Sequence, residues 1–463
     1  MQLPSRCRIS REVGRQASVR PPYRHTAPMH LDPGARRAIL DACDALRDRT
    51  LETITRLVRH PSTLGNEAGA ITEMARQFEA LGLTSRRIPV VPTDDPIFSP
   101  PLMSYEGRDN VVALYQPREI RGRSLVLQGH VDVVPEGAAD MWASPPFAAV
   151  VRDGRIFGRG AGDMKGGIAA YLSAFAALRL AGLAPAAPVQ LHAVIEEECT
   201  GNGAAACLLA LPACDAAIIP EPGPGVDAMW TAEVGVVWAW VTVSGRPAHV
   251  RDMQAGLNAI EAANIIAGAF KDYEAERNRA EHIHASFHGV NHPVNVNFGS
   301  IEGGEWVSSV PTRARIGMRV GVMVGYTAAR TRADIEALVA QAATHERLRG
   351  ATVKLEFRGF MAEPCLFDQQ ASIVTLCRRA WADATGGALR DYAAPGLSDG
   401  RHFVARGTPT AVFGPDAQDI HGIDESVGVD SIHGCTRTIA LAMAEWCGVE
   451  RVSDGGAAGL GAE

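Results

Sequence analysis

The chain has 463 residues, 46% of them hydrophobic and 21% charged, with a formal net charge of −7. That length suits two or three domains at roughly 150 residues each, and the composition is that of an ordinary globular protein. The negative balance gives no electrostatic case for nucleic acid or an anionic membrane surface as partner, and no apolar run approaches the roughly 18–20 residues that span a bilayer.

Residues 1–30 read apart from the rest. Arg6, Arg8, Arg11, Arg15, Arg20 and Arg24 stand with a single acid, Glu12, and no apolar stretch follows, so the segment is not a secretory signal. It reads as a disordered extension, or as the product of a start placed ahead of Met29; an Arg-rich transit peptide is the alternative. Residues 32–59 read as helix on Ile39, Leu46, Ile54 and Leu57, and 69–81 as a second helix closed by Gly82. Runs 111–115 and 124–128 read as buried strands, 163–180 as a helix leaving a glycine-rich turn, 189–195 as a strand, 203–211 as a helix and 216–219 as a strand. This alternation predicts an α/β domain with a mixed, largely parallel sheet.

The pattern changes after Glu221. Strand 236–243, helix 256–273, strands 294–301 and 314–320, helix 328–343 and strand 352–357 give the order βαββαβ, which suits a compact two-layer α+β unit. A helix at 371–384 and a loop–strand–loop region then resume the first style. The expected organisation is an extension at 1–30, a first domain at 31–231 and 359–450 interrupted by an inserted domain at 232–358, and a Gly/Ala-rich disordered tail at 451–463. Nine cysteines without a C-x-x-C pair point to a reducing, cytoplasmic setting rather than a disulfide framework.

Four segments place acids or a histidine where strands should end. Gln128-Gly129-His130-Val131-Asp132 follows an apolar run, and His130 and Asp132 share a face of an extended segment. A metal-bound histidine needs a partner that fixes its ring, a part open to Asp132; a surface pair is the plain alternative. Asp163 lies inside Gly158-Arg159-Gly160-Ala161-Gly162-Asp163-Met164-Lys165-Gly166-Gly167, whose spacing fits neither phosphate-binding fingerprint and whose acid would repel phosphate. Glu196, Glu197 and Glu198 would repel one another without a cation or partner nearby. Glu221 stands between Pro220 and Pro222. Ligands collect at the carboxyl ends of strands in open α/β sheets, and one histidine with several carboxylates suits zinc, manganese or cobalt. The acids are too many for one tetrahedral ion, whereas two ions sharing a carboxylate would use them all.

Together with the layout, the GHVDVVP, GRGAGDMKGG, EEECTGNG and PEP segments resemble the M20 metallopeptidase family over residues from about 40 to 450. The resemblance implies a two-metal amide hydrolase, most simply a zinc enzyme, that removes an acyl group from the nitrogen of a small carboxylate-bearing substrate such as an N-acyl amino acid. It implies that His130 and Glu221 each hold one ion, that Asp163 bridges both and is followed by a cis peptide, that Glu198 holds the second ion, and that Glu197 is the general base, with Asp132 behind His130. A slip to Glu196/Glu197 is the alternative register. Ile420-His421-Gly422-Ile423-Asp424-Glu425 looks like the family's closing segment, so His421 completes the second site, ahead of His433 and His402. Val243-Ser244-Gly245-Arg246-Pro247-Ala248-His249 and Gly256-Leu257-Asn258 are similar to the family's lid, which implies a homodimer in which His249 reaches the partner's site. Arg319, Asn258 and Ser398 are the implied substrate contacts. Ser308-Ser309-Val310-Pro311 departs from the family, where Asn often precedes the Val-Pro. The histidines at 282, 284, 288 and 292 lack accompanying acids and read as a lid loop. A dipeptidase or carboxypeptidase is the alternative within the family, and a non-catalytic metal- or ligand-binding protein on the same fold is the alternative outside it.

Overall fold

The computed structural model describes residues 31–452; the expectations for 1–30 and for the tail from 453 onward lie outside them. A nine-stranded mixed sheet forms the larger unit. At its centre Val189–Val194, Leu125–His130, Ala216–Ile219 and Thr410–Gly414 run parallel, while Ser85–Pro89 and Asp109–Tyr115 join one flank antiparallel. These central strands are buried throughout, which explains their continuous apolar runs rather than an alternating pattern. On the other flank Ala228–Glu233 pairs with Thr410–Gly414, Cys365–Leu366 and Arg390–Ala394.

The helices Gly166–Leu180 and Val429–Cys447, both almost wholly buried, pack together beside this sheet. Pro33–Ala45 lies on both and begins at Asp32, whose two carboxylate oxygens each accept a backbone N–H at 3.0 Å. The single helix expected over 32–59 is two, Pro33–Ala45 and Arg47–Val58, broken at Leu46. The Thr50 hydroxyl and its backbone N–H both donate to the Leu46 carbonyl at 2.9 Å, and the hydroxyl lies 2.8 Å from Ser173.

The second layer pair is an antiparallel sheet in the order Val296–Gly303, Arg313–Val322, Gly235–Ser244, Thr352–Ala362. Helices Ala259–Arg277 and Ala328–Ala343 pack against it, so the chain order is βαββαβ. Val237, Ala239, Val241 and Val243 join the core under the helices, and by alternation Trp238 and Trp240 take the opposite, open face.

A small five-stranded sheet escapes the sequence reading because its strands hold two or three residues each: Val150–Arg152, Arg155–Phe157, Ser426–Gly428, Asp416–Gln418 and Gly223–Pro224. It pairs Phe157 with Ser426 and Gly223 with Asp416, and so draws three distant chain segments to one place.

Candidate active site

That place holds the acids and histidines. His130 ends its strand with no exposed surface, and its Nε2 lies 3.0 Å from Asp163 Oδ1 and 3.7 Å from Glu221 Oε1. The other Asp163 oxygen is 3.4 Å from His421 Nε2, which also stands 3.0 Å from Glu198 Oε2. Ligand atoms of His130, Asp163 and Glu221 fall within 4.8 Å of one another, as do those of Asp163, Glu198 and His421, so Asp163 belongs to both groups. The Asp163–Met164 peptide is cis. Glu221 reaches the site from a strand end held between two prolines, and His421 from a tight loop in which Asp419, His421 and Asp424 have φ of 53°, 62° and 57°.

Glu196–Glu198 form a turn rather than a strand extension, and the three acids part company there. Glu196 turns to Arg108 at 2.6 Å and to the Thr200 hydroxyl at 2.7 Å, away from the cluster. Glu197 and Glu198 line the cavity. Glu197 comes within 3.9 Å of His130 Nε2 through one oxygen, while its other oxygen is buried without a partner.

Asp132 departs from the expectation that its carboxylate fixes the His130 ring. The near acceptor for Nδ1 is the Asp132 main-chain carbonyl at 2.9 Å, with the carboxylate at 3.6 Å. Both carboxylate oxygens are taken up by the backbone N–H groups of Glu197 and Glu198, at 3.2 and 3.1 Å. Asp132 therefore ties the histidine's strand to the acidic turn.

Electrostatics in the cluster follow from crowding. Burial pushes the Glu197 and Glu221 carboxyls well above their usual range. Burial opposes charge on His130, yet Asp163, Glu221, Asp132 and Glu197 around it win and lift its pKa well above the usual value. His421 is lifted to about 11, chiefly by Glu198. Buried carboxylates this close need compensating positive charge. The donor set, an imidazole and carboxylates in each group with one carboxylate common to both, fits a pair of divalent cations.

Two residues to which the sequence reading gave no role hold the glycine-rich loop. The Glu425 carboxylate accepts the N–H groups of Gly160, Gly162 and Asp163 at 3.1, 3.0 and 3.1 Å and pairs with Arg159 at 2.5 Å, fully out of solvent. The signal for Glu425 was its place four residues after His421; its chemical purpose is invisible until the fold closes.

The acids open onto a cavity of about 650 Å³ that Arg319 also lines. Arg319 donates to the Pro395 carbonyl at 2.8 Å, and burial alone draws its pKa down to about 10. Ser398, Asn258 and His249 do not line this cavity, and neither do the buried His130 and Asp132. Ser398 is fully buried, its hydroxyl donating to Glu233 at 2.9 Å. Asn258 caps the helix Ala259–Arg277, accepting from Ile260 and Glu261 at 3.0 and 3.2 Å. His249 is exposed, accepts from the backbone N–H of Arg251 at 3.2 Å and belongs to neither ligand group. His433 pairs with Asp44 at 2.8 Å, and His402 is buried 3.8 Å from Asp399, both away from the cluster. Cys199 is buried and its thiol is held well above its usual pKa by burial, which leaves it inert.

Comparison with known proteins brings three findings. The profile described as Peptidase family M20/M25/M40 matches residues 126–445. Succinyl-diaminopimelate desuccinylase of Caulobacter vibrioides (strain NA1000 / CB15N) is 30% identical over 397 residues, covering 82% of this chain and 92% of that enzyme. Among solved structures, the di-peptidase Dug1p from Saccharomyces cerevisiae superposes with a TM-score of 0.72 at 12% identity, over 90% of this chain and 99% of its own. The Bacillus subtilis YXEP protein, a dinuclear metal binding peptidase of the M20 family, does so with a TM-score of 0.54 at 16% identity, over 87% and 99%.

Proposed function

The chain belongs to peptidase family M20/M25/M40 and is by that membership a metal-dependent amide hydrolase, and on that premise we propose that it cleaves a small N-acylated amino acid with two divalent ions bound at Asp163. The observation that carries the reading is the sharing of Asp163 between two ligand groups. His130, Asp163 and Glu221 would hold one ion, and Asp163, Glu198 and His421 the other; zinc fits these donors, with cobalt or manganese as substitutes. Ions so held supply a water of lowered pKa and an electrophile for the amide carbonyl.

The protein's own groups then have defined tasks. Glu197, which lines the cavity beside His130, takes the proton from the attacking water and hands it to the departing nitrogen. Arg319 grips the substrate carboxylate with a planar guanidinium. Asp132 holds the turn that carries Glu197 and Glu198.

The same reading makes the protein a homodimer through the domain at 232–358, with His249 donating to the developing oxyanion in the partner's site. Support comes from the exposure of His249 and from the apolar surface near it, where Trp306 and Val307 are 73% and 99% exposed. A cytoplasmic setting belongs to the reading too: the eight cysteines among the described residues are all unpaired. No helix of the described residues is long and apolar enough to cross a membrane.

The test is a panel of N-formyl, N-acetyl and N-succinyl amino acids and dipeptides offered to the zinc-loaded protein. Release of free amine from one or more N-acyl amino acids is expected. Turnover of dipeptides alone would replace deacylation by peptidase action, and no turnover at all would overturn the reading.

A further inference from the structure

The cavity that takes the metal-ligating acids is also lined by Trp230, Trp238, Trp240, Phe360 and Tyr392, and thus holds three of the chain's 7 tryptophans. Their packing is built rather than incidental. Trp238 and Trp240 stand two residues apart on the open face of the antiparallel sheet. Each indole lies against a glycine: a Cβ on Gly359 would come 2.5 Å from the Trp238 ring, and one on Gly317 would come 2.4 Å from the Trp240 ring. Only a residue without a side chain lets either ring lie so close to the sheet. Trp238 meets Phe360 edge to face at 5.5 Å, and Trp230 meets Tyr392 in the same way at 5.5 Å. The indole nitrogens of Trp238 and Trp240 are buried with no hydrogen-bond partner among the described residues, and such donors normally find one.

Charge narrows the guest further. Arg319 lies directly across the strand pair from Trp238 and meets no carboxylate of the described residues. It offers a site for one carboxylate. A succinyl group ends in a second carboxylate, and no arginine or lysine besides Arg319 is among the residues that line the cavity, Arg315 being stacked over the Trp240 ring at 4.4 Å. An unpaired carboxylate buried in an aromatic enclosure is strongly disfavoured.

We propose that the substrate carries a flat aromatic group, as in an N-acyl aromatic amino acid, seated against Trp238 and Trp240 with its carboxylate on Arg319. The inference deepens the amide-hydrolase reading and rests on it. Aromatic guests gain from edge and offset contacts with the indoles beyond their apolar area.

The experiment compares kcat/KM of the zinc-loaded enzyme for N-acetyl-L-tryptophan and N-acetyl-L-phenylalanine with that for N-acetyl-L-alanine and N-succinyl-L-alanine. A preference of about tenfold or more for the aromatic pair is expected, since even small changes in pocket fit shift discrimination by that factor. Trp240→Ala and Trp238→Ala should each cut the aromatic-to-alanine ratio about tenfold, chiefly through KM. Trp240→Phe, which keeps a ring on the Gly317 floor, should keep most of the preference and guards against a merely misfolded variant. A ratio near one in the natural enzyme, or one unmoved by the alanine variants, overturns the proposal while leaving amide hydrolysis intact. A binding arm separates the two failures: calorimetry with 3-phenylpropionate and with succinate needs no turnover. Binding of 3-phenylpropionate about tenfold tighter than succinate supports the aromatic seat even if no amide is cleaved, and equal or reversed affinity removes it.

Discussion

Glu197 and Glu198 are sequence neighbours with different surroundings, and the difference can be read in single substitutions. Glu198 has His421 at 3.0 Å, whereas Glu197 keeps one oxygen free of any partner. Glu197→Gln should therefore retain metal by elemental analysis while kcat falls by about 10²–10⁴, the usual worth of a general acid–base group. Glu198→Gln should lose metal instead; the reverse pattern would exchange the two assignments. Glu233 offers a second test at this scale. It is fully buried, accepts from Ser398, and burial raises its pKa from 4.5 to about 8. The folded state thus holds a proton that the unfolded chain releases, so the stability it contributes is complete below about pH 4.5 and is lost as pH rises through about 8. Glu233→Gln cannot lose that proton. The variant's Tm should match the natural protein's near pH 4.5 and exceed it increasingly up to pH 9; a constant difference would refute the assignment. At the residue level much is legible beforehand, because His130, Glu197, Glu198 and Glu221 each follow an apolar run that ends where a sheet ends. Ser398 and Asn258 are not, because a polar side chain in a motif can equally serve a buried carboxylate or a helix cap, and only the closed fold shows which.

The glycine-rich loop shows how one element is held in place from far along the chain. Three of its N–H groups and the Arg159 guanidinium converge on Glu425. Glu425→Gln leaves the size unchanged but weakens these charge-assisted bonds, and the Asp163 carboxylate depends on that loop for its position. Zinc affinity, measured by competition with a chromophoric chelator, should fall about 10–100-fold with the far-UV spectrum unchanged. Unaltered affinity would make the contact merely structural. Helices and long strands are legible in sequence through their apolar periodicity, as in Ala328–Ala343 and Gly235–Ser244. The small sheet is not, since strands of two or three residues have no period to read, and yet it is this sheet that brings Asp163, Glu221 and His421 together. The break at Leu46 is hidden for a similar reason: the apolar stripe of Ile39, Leu46, Ile54 and Leu57 continues through it.

For the molecule as a whole, two layered units enclose the cavity between the acids of one and the open sheet face of the other. The proposed dimer adds a third contributor, His249 from the partner. Mixing His249→Ala with Glu197→Gln protein, each inactive alone, under subunit exchange should restore activity toward half of the natural dimer's, because one mixed site would carry both defects and the other none. No recovery despite exchange would place His249 in its own chain's site or outside catalysis. The overall layering is legible in the switch of pattern after Glu221. The aromatic lining is not, because Trp238 and Trp240 share one strand while Phe360, Trp230 and Tyr392 come from three others, and the five meet only in three dimensions.

The central claim is that Asp163 joins two metal sites on which amide hydrolysis depends. The most direct measurement is metal content against activity in one titration: exhaustive chelation, verified by elemental analysis, followed by stepwise return of zinc, cobalt or manganese. The account predicts no hydrolysis in the metal-free protein and recovery that saturates at about two ions per chain, as expected of a two-metal hydrolase. Full activity in verified metal-free protein would contradict it.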